Sequence, residues 1–367
     1  MMDRLNNKKS KLFLNILLIL LFAAIIILLD TKKIGDAYIR RILNLSAIYA
    51  IVSVSMNLVN GFTGLFSLGQ TGFMAIGAYT VAIFTVPLDA RAKIFYIIPQ
   101  NPVLAQIELP FVIALILGGL LAALVAILIG LPVLRLKSDY LAIATLGFSE
   151  IIRIVFTNTK SITNGALGIK SIPTMPTMWV FFGVAALSVV LIWLLINSSY
   201  GRAFKAIRED EVAAEAMGIN LFKHKVMSFS IGAFFAGIGG GLLATLLAAV
   251  NPNQFYFPIT YNFLLIIVLG GMGSISGTVI ASFLVTAGLE VLRFFDEPFA
   301  LFGLNIPLFR PGLRMVIFSI LLMILVLFFR NGLLGQKELS WKLVFDRLAG
   351  KKSKKKSMKQ QEQMMHQ

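Results

Sequence analysis

Long apolar segments recur along this chain, and they restrict its fold more than any other feature of the sequence. A helix needs about 20 predominantly apolar residues to cross the hydrocarbon layer of a membrane. Ten segments are candidates, although the eighth is too short to cross alone: 12–29, 40–59, 65–86, 109–131, 139–157, 178–196, 226–249, 259–269, 278–295 and 312–329. The sequence therefore predicts an all-α fold, a polytopic membrane helix bundle with about ten transmembrane segments.

The composition restricts the function as well. Hydrophobic residues make up 58% of the 367 residues and charged residues 14%, whereas a soluble domain has about 45–50% and about 25%. The sequence has no Cys and two His, which excludes disulfides, thiolate metal sites and multi-His metal sites. It contains neither a Ser-His-Asp set nor the motif G-x-x-x-x-G-K-[ST]. We therefore predict no enzyme, no metal site and no cofactor bound by this chain.

The net charge of +16 is concentrated at the two ends of the chain. Ten Lys or Arg residues lie in 330–367 and four in the first eleven residues, and each group flanks an apolar segment. The positive-inside rule predicts that both termini are cytoplasmic, although the basic loop 30–41 does not fit. The run KKSKKK is expected near anionic lipid headgroups. Because these charges form a tail, not a folded basic surface, the expected partner is membrane lipid and not nucleic acid.

These features divide the chain into three parts. Residues 1–37 form a basic N-terminus with the first span, 38–330 the transmembrane domain, and 331–367 a basic cytoplasmic tail. Three spans of the domain carry small residues at every fourth position, on one helix face. Two interpretations stay open, namely packing within the bundle, or a subunit interface or sliding surface. The rows begin at Ser67, at Ala114 and, as two parallel rows, at Gly232 and Ala233.

Two glycine-rich stretches, 61–79 and 269–277, resemble interrupted helices. Irregular backbone at membrane depth survives only inside protein or beside a water-filled cavity, and transporters use such breaks to present backbone groups to a substrate. The alternative for 61–79 is a turn followed by a tightly packed helix. We predict that a translocation pathway is lined by Gly64, Ser67, Gly69, Gln70, Thr71, Gly72, Gly271, Gly273, Ser274 and Ser276.

Ionisable residues are scarce inside the predicted spans. Glu150 and Arg153 lie three apart and can pair on one helix face, and Glu290 lies near the outer end of the ninth span. An ion-driven carrier usually keeps such groups in its spans. The sequence therefore favours an energy source outside this chain over a stand-alone, ion-coupled secondary transporter.

The charged stretch 200–225 lies between two apolar spans and has a helical composition. Phe204, Ile207, Ala214 and Met217 recur at helical spacing, and Gly218 suits a helix end. Such an amphipathic helix either lies at the membrane interface or docks its apolar side chains in a groove of a cytoplasmic partner.

Ala213 and Ala214, followed after three residues by Gly218, resemble the EAA…G motif of ABC-importer permeases. In that family the motif forms a cytoplasmic coupling helix, here about 203–218, that inserts into an ATPase subunit. The stretches GLFSLGQTGFMAIGAY, YLAIATLGFSEIIRI, GRAFKAIREDEVAAEAMGIN and VLGGMGSISGTVIA extend the resemblance over about 40–330. Together they are similar to the LivM branch of branched-chain amino-acid permeases.

This resemblance implies a permease of the cell (inner) membrane that moves Leu, Ile or Val inward, driven by ATP hydrolysis elsewhere. The implied partners are a LivH-type sister permease, two ABC ATPase subunits that hold ATP and Mg²⁺, and an extracytoplasmic solute-binding protein. Relatives that carry urea or short amides are the alternative. The residues implied in coupling to the ATPase are Arg208, Glu209, Asp210, Glu211, Ala213, Ala214, Glu215 and Gly218.

Overall fold

A computed structural model describes most of the transmembrane domain. The chain forms two compact units, Met1–Ile34 with Lys337–Gln367, and Gly35–Gln336, and the helices below belong to the second. The described residues are 37–292 apart from 137 and 176, with short pieces at 26–27, 300–301, 304–305, 316–317, 319–320, 323, 332–335 and 338. Most of the predicted first and tenth spans and most of the basic tail lie outside them.

Helices dominate the described residues, and the strands are two-residue pieces. Strand β1 (Ile169–Lys170) pairs antiparallel with β2 (Ala249–Val250), and β3 (Ala300–Leu301) with β4 (Leu304–Asn305). A π-helical turn, Leu58–Phe62, extends the first helix. The helices are α1 (Ala37–Asn57), α2 (Gln70–Thr85), α3 (Leu88–Ile94), α4 (Pro102–Ala105), α5 (Phe111–Val133), α6 (Ser138–Asn158), α7 (Lys160–Thr163), α8 (Met178–Asn197), α9 (Ser199–Glu209), α10 (Glu211–Ala216), α11 (Leu221–Leu247), α12 (Pro258–Gly270) and α13 (Ile275–Val291).

These helices confirm a helical, polytopic membrane protein. Six segments of the described chain are long and apolar enough to cross a membrane, and α2 with α3, bent by 117°, would make a seventh. Eight of the ten predicted segments overlap α1, α2, α5, α6, α8, α11, α12 and α13. The count of ten stays a prediction.

The core forms where α2, α5 and α11 approach each other closely. A Cβ atom on Gly77 would lie 1.9 Å from the carbonyl oxygen of Gly237, and one on Gly240 would lie 1.8 Å from that of Met74. The rows of small residues on α5 and α11 are largely buried at these contacts. Packing within the bundle is thus the correct interpretation of these rows, because small side chains let backbones meet in lipid.

Helix α1 packs against α12 and α13. The ring of Tyr49 meets that of Phe263 edge-on, with centroids 5.1 Å apart. Asn57 bonds to Thr278, and at the other end of α1 the hydroxyl of Tyr38 donates to Glu290 (2.9 Å). Helix α13 therefore runs antiparallel to α1. Residues 259–292 form two helices and not a single span, because the chain reverses between α12 and α13.

The bundle has two distinguishable ends. At one end, the guanidinium of Arg135 lies 5.4 Å from the ring centre of Phe222, which places the α5–α6 turn beside the stretch 199–225. We call this the charged end. At the opposite end, Arg91 is buried and donates to the carbonyl oxygens of Val86 (3.1 Å) and Ile107 (2.7 Å). We call this the loop end, because Arg91 holds the 86–110 loop there.

Candidate functional site

The stretch 199–225 folds as two helices at the charged end. Helix α9 ends where Asp210 adopts an extended conformation (φ −158°, ψ 114°). The carboxylate of Asp210 accepts the backbone N–H groups of Val212 (2.8 Å) and Ala213 (3.0 Å). Asp is a preferred N-cap because it satisfies amides that lack a partner within the helix. The prediction of one continuous helix over 203–218 is therefore wrong, since Asp210 starts a second helix.

Helix α10 ends as the sequence predicts. Gly218 takes a left-handed conformation (φ 83°), which glycine adopts without strain. Its N–H donates to the Glu215 carbonyl (2.9 Å), and the N–H of Ile219 donates to that of Ala214 (3.1 Å). These two bonds close the C-terminus of the helix.

The two helices present different surfaces. Phe204 and Ile207 of α9 are buried, as is Ala214 of α10, whereas Val212 and Met217 are 78% and 82% exposed. The helical spacing therefore misplaces Met217, which does not lie on the same face as Phe204, Ile207 and Ala214. Among the exposed residues of α10 and its two ends, we call the following the α10 tip: Val212 and Met217 with Asp210, Glu211, Ala213, Glu215 and Gly218. Glu209, the last residue of α9, is exposed beside the tip.

An ion pair fixes α10 against the next helix. The ammonium of Lys225 lies 2.6 Å from a carboxylate oxygen of Glu211. Large apolar side chains surrounded by carboxylates and held on a braced short helix can occupy a groove of another protein.

Arg208 differs from the other residues implied in coupling, because its side chain is directed into the bundle. Its Nη1 donates to the carbonyl oxygen of Gly61 (3.0 Å), in the π-helical turn, while its other nitrogens bind the carboxylate of Glu209. A Cβ atom on either Gly64 (φ 77°) or Gly273 (φ 86°) would lie 2.9 Å from Arg208 atoms. The structure thus brings the charged stretch together with both glycine-rich segments.

The first glycine-rich segment is interrupted between the π-helical turn and α2. Asn60 donates to the carbonyl of Ser67 (3.1 Å) and accepts its N–H (3.2 Å), and the N–H of Leu68 donates to Thr145 (3.0 Å). These side chains thereby form hydrogen bonds with backbone groups that have no helical partner at the interruption. Sequence reasoning missed Asn60, although an amide inside an apolar run was an available signal.

The residues that follow this break are packed inside the protein. Gln70 donates to Ser55 (2.7 Å) and to the Gly232 carbonyl (3.1 Å), and Thr71 shares a hydrogen bond with Thr260 (2.9 Å). Gly69 and Gly72 lie against the backbone of α6, since added Cβ atoms would come within 3.0 Å and 2.9 Å of it. A turn followed by a tightly packed helix therefore describes 61–79 in this conformation. The predicted pathway role of these residues stays a prediction.

The second glycine-rich segment is held by Asn57, which is fully buried. Its Oδ1 accepts the N–H of Gly273 (3.0 Å), and its Nδ2 donates to the Ser274 carbonyl (3.0 Å) and to Thr278 (2.8 Å). Ser274 in turn caps α13 by accepting the N–H of Gly277 (3.1 Å). Sequence reasoning did not assign Asn57 a role, because these partners lie more than 200 positions away.

Two other predicted pathway residues, Gly271 and Ser276, belong to the same reversal of the chain. Gly271 has φ 110°, and the hydroxyls of Ser274 and Ser276 lie 3.5 Å apart. The N–H of Leu333 donates to the carbonyl of Leu269 (2.7 Å). Residues 332–335 therefore lie beside this break, which places the start of the C-terminal part of the chain at the charged end.

The predicted pair of ionisable residues forms on α6. Arg153 Nη2 lies 2.8 Å from Glu150 Oε1, and the guanidinium lies 5.6 Å from the ring centre of Tyr256. Both residues are thus engaged in contacts that hold α6 against the 251–257 turn. The prediction that they pair is confirmed.

Comparisons with known proteins agree with one family. A family model described as "Branched-chain amino acid transport system / permease component" matches residues 38–327. The "High-affinity branched-chain amino acid transport system permease protein LivM" of Escherichia coli is 38% identical over 291 residues, covering 70% of this chain and 64% of that protein. The chain thus spans slightly less than two thirds of the length of that relative.

Two more distant relatives extend the comparison. The "Probable branched-chain amino acid transport permease protein LivM" of Methanocaldococcus jannaschii is 26% identical over 79% of this chain and 91% of that protein. The "Autoinducer 2 import system permease protein LsrC" of Yersinia pseudotuberculosis is 26% identical over 67% of this chain and 73% of that protein. No solved structure matches the chain.

Proposed function

Because this chain belongs to the family of branched-chain amino-acid transport permease components, we propose that it is the membrane permease of an ABC importer for Leu, Ile or Val. The observation that carries this proposal is the α10 tip, exposed at the charged end while α9 contacts both broken segments. A permease that is driven by ATP hydrolysis in other subunits needs an exposed element that docks on those subunits. It also needs a mechanical connection from that element to its transmembrane helices.

The proposed complex contains two ATPase subunits that hold ATP and Mg²⁺, a LivH-type sister permease and an extracytoplasmic solute-binding protein. The α10 tip supports an ATPase contact, because amphipathic helices dock their apolar side chains in grooves. Apolar side chains exposed along α5, α6 and α8, among them Leu128, Ile143 and Leu194, provide surface for lipid or the sister permease.

The charged end is proposed to face the cytoplasm of a multi-pass inner-membrane protein. Arg135 and the basic residues of 199–225 lie there, and residues 332–335 bring the start of the basic tail to the same end. Positive charge beside short loops favours the cytoplasmic side. Both termini would then be cytoplasmic.

Transport would proceed from the loop end to the charged end. The binding protein would deliver the amino acid, and ATP-dependent closure of the ATPase dimer would move α9 and α10. Such coupling requires that the two states of the ATPase bind the α10 tip with different affinity. The broken segments 61–79 and 269–277 would line the path, with hydroxyl, backbone and helix N-terminal groups for the carboxylate and apolar walls for the aliphatic side chain.

A pull-down with one matched pair of variants tests this function. Val212→Glu places a charge on the α10 tip, and Val103→Glu makes the same change at the loop end, where Val103 is 70% exposed. We expect an ATPase to co-purify from native membranes with the wild-type chain and with Val103→Glu, and to be lost from Val212→Glu. A chain that purifies alone and transports in liposomes on an ion gradient would contradict the proposal.

The substrate needs a separate measurement, because one relative is named for autoinducer 2 import. We expect the co-purified binding protein to bind leucine, isoleucine or valine more tightly than urea or acetamide. Preference for urea or acetamide would retain the importer and reject the amino-acid substrate.

A further inference from the structure

Two side chains of α9 reach the first broken segment: Lys205, whose ammonium lies 5.8 Å from the ring centre of Phe62, and Arg208. The guanidinium of Arg208 reaches the Gly61 carbonyl in the π-helical turn, 147 positions earlier in the chain, and about a fifth of the side chain is exposed. A hydrogen bond from a charged donor is roughly twice as strong as a neutral one. Displacement of the last turn of α9 therefore acts directly on the end of α1.

Both broken segments are shaped around this side chain. Gly64 follows the π-helical turn and Gly273 lies in the reversal between α12 and α13, yet a Cβ on either would come within 2.9 Å of Arg208. Each has a positive φ that L side chains rarely adopt. Two distant glycines thus leave space for the same residue, because Gly64 lies against its Cα, Cβ and Cγ atoms and Gly273 against its guanidinium.

Asn57 continues the connection to the second segment. It lies one helical turn before Gly61, so close that a Cβ on Gly61 would fall 1.8 Å from its Oδ1. Its three hydrogen bonds to Gly273, Ser274 and Thr278 are fully buried. A buried polar group is costly to leave unpaired, so these bonds hold the end of α1 and the start of α13 together.

We propose that Arg208 and Asn57 form the link that transmits movement of α9 and α10 to the two broken segments. This inference rests on the proposed function. Asp210 separates the roles of the two helices, because α10 beyond it presents the exposed tip and the last turn of α9 before it engages the bundle. Both residues are positioning residues, since neither needs to touch the substrate.

The first test replaces Arg208 by Gln and uses Arg202→Gln as its control. Arg202 is exposed on the same helix, so both variants remove one positive charge from α9. In proteoliposomes with the complete complex, we expect Arg208→Gln to retain its ATPase subunits and basal ATP hydrolysis. Substrate moved per ATP should fall by about tenfold, within the usual range of coupling between sites. Arg202→Gln should keep the wild-type ratio.

The second test reaches the link from its other end, without altering α9. Thr278→Val removes the hydroxyl that accepts from Asn57 and keeps the shape of the side chain, whereas Thr278→Ser keeps the hydroxyl. We expect Thr278→Val to lower the transport-to-ATP ratio with unchanged ATPase retention, and Thr278→Ser to stay near wild type. If Arg208→Gln fails to fold, this pair of Thr278 variants tests the proposed link by itself.

Two results would overturn the link while leaving the importer intact. One is loss of the ATPase from Arg208→Gln, as expected for Val212→Glu, which would make Arg208 a partner contact. The other is a wild-type ratio of transport to ATP in Arg208→Gln or in Thr278→Val. Failure of the wild-type complex to couple ATP to uptake would instead reject the proposed function itself.

Discussion

The cap at Asp210 allows a quantitative prediction about α10. Asp210→Ala removes the acceptor for the amides of Val212 and Ala213. Loss of such a cap costs about 1 kcal/mol, and α10 has six residues, far fewer than a helix needs for stability of its own. Since about 1.4 kcal/mol corresponds to a tenfold change in an equilibrium constant, the local opening of α10 should become about fivefold more frequent.

Hydrogen–deuterium exchange resolved by peptide measures this opening. We expect amides of 212–217 to exchange about fivefold faster in Asp210→Ala, with α9 unchanged. If only the helical form of α10 binds the ATPase subunits through Val212 and Met217, the apparent affinity should fall in proportion to the population of that form, and by no more than that.

Asp210→Asn is the matched control. Asn caps a helix about as well as Asp, so this variant removes the charge and keeps the cap, and its exchange should stay near wild type. Equal acceleration in both variants would show that charge, not capping, stabilises α10. Unchanged exchange in Asp210→Ala would refute the reasoning altogether.

Three further predictions concern stability. Gly240→Ala forces a Cβ to within 1.8 Å of a carbonyl oxygen on α2 and should lower the melting temperature. Gly183→Ala should not, because its added Cβ would have no atom within 4 Å in the described part of the chain outside its own helical backbone. Ser53→Ala removes a buried hydroxyl that has no hydrogen-bond partner among the described residues and should be neutral or stabilising, while Ser55→Ala loses the bond from Gln70 and should destabilise by about 1–3 kcal/mol. Arg91→Gln should make the 86–110 loop more sensitive to limited proteolysis, because Arg91 donates to three backbone carbonyls of the loop, those of Val86, Leu104 and Ile107.

Local signals in the sequence predicted the local features correctly. The positions of the apolar helices, the interruption within 269–277 and the end of α10 at Gly218 follow from runs of apolar residues and from glycine conformation. The break between α9 and α10 at Asp210 was not predicted. The residues around it favour a helix, and the preference of Asp for a cap position decided the outcome.

Contacts between distant parts of the chain could not be predicted in the same way. Asn57 and Thr278 are 221 positions apart, and Arg208 and Gly61 are 147 apart, so no spacing rule connects them. Glycines present a related difficulty. The sequence shows that Gly69 and Gly72 allow a close approach, but it does not reveal that α6 is what approaches.

The close contact of α2, α5 and α11 limits which parts of the molecule can move during transport. Backbone atoms meet at Gly77 and Gly237, so a rotation or one-turn shift of either helix would drive side chains into a neighbouring main chain. Tightly packed interfaces have few alternative arrangements. Most of α11 is buried inside the bundle, whereas most of α6 is not. If the chain is the proposed permease, these three helices would act as a fixed frame, and the change between its transport states would fall to the helices around that frame.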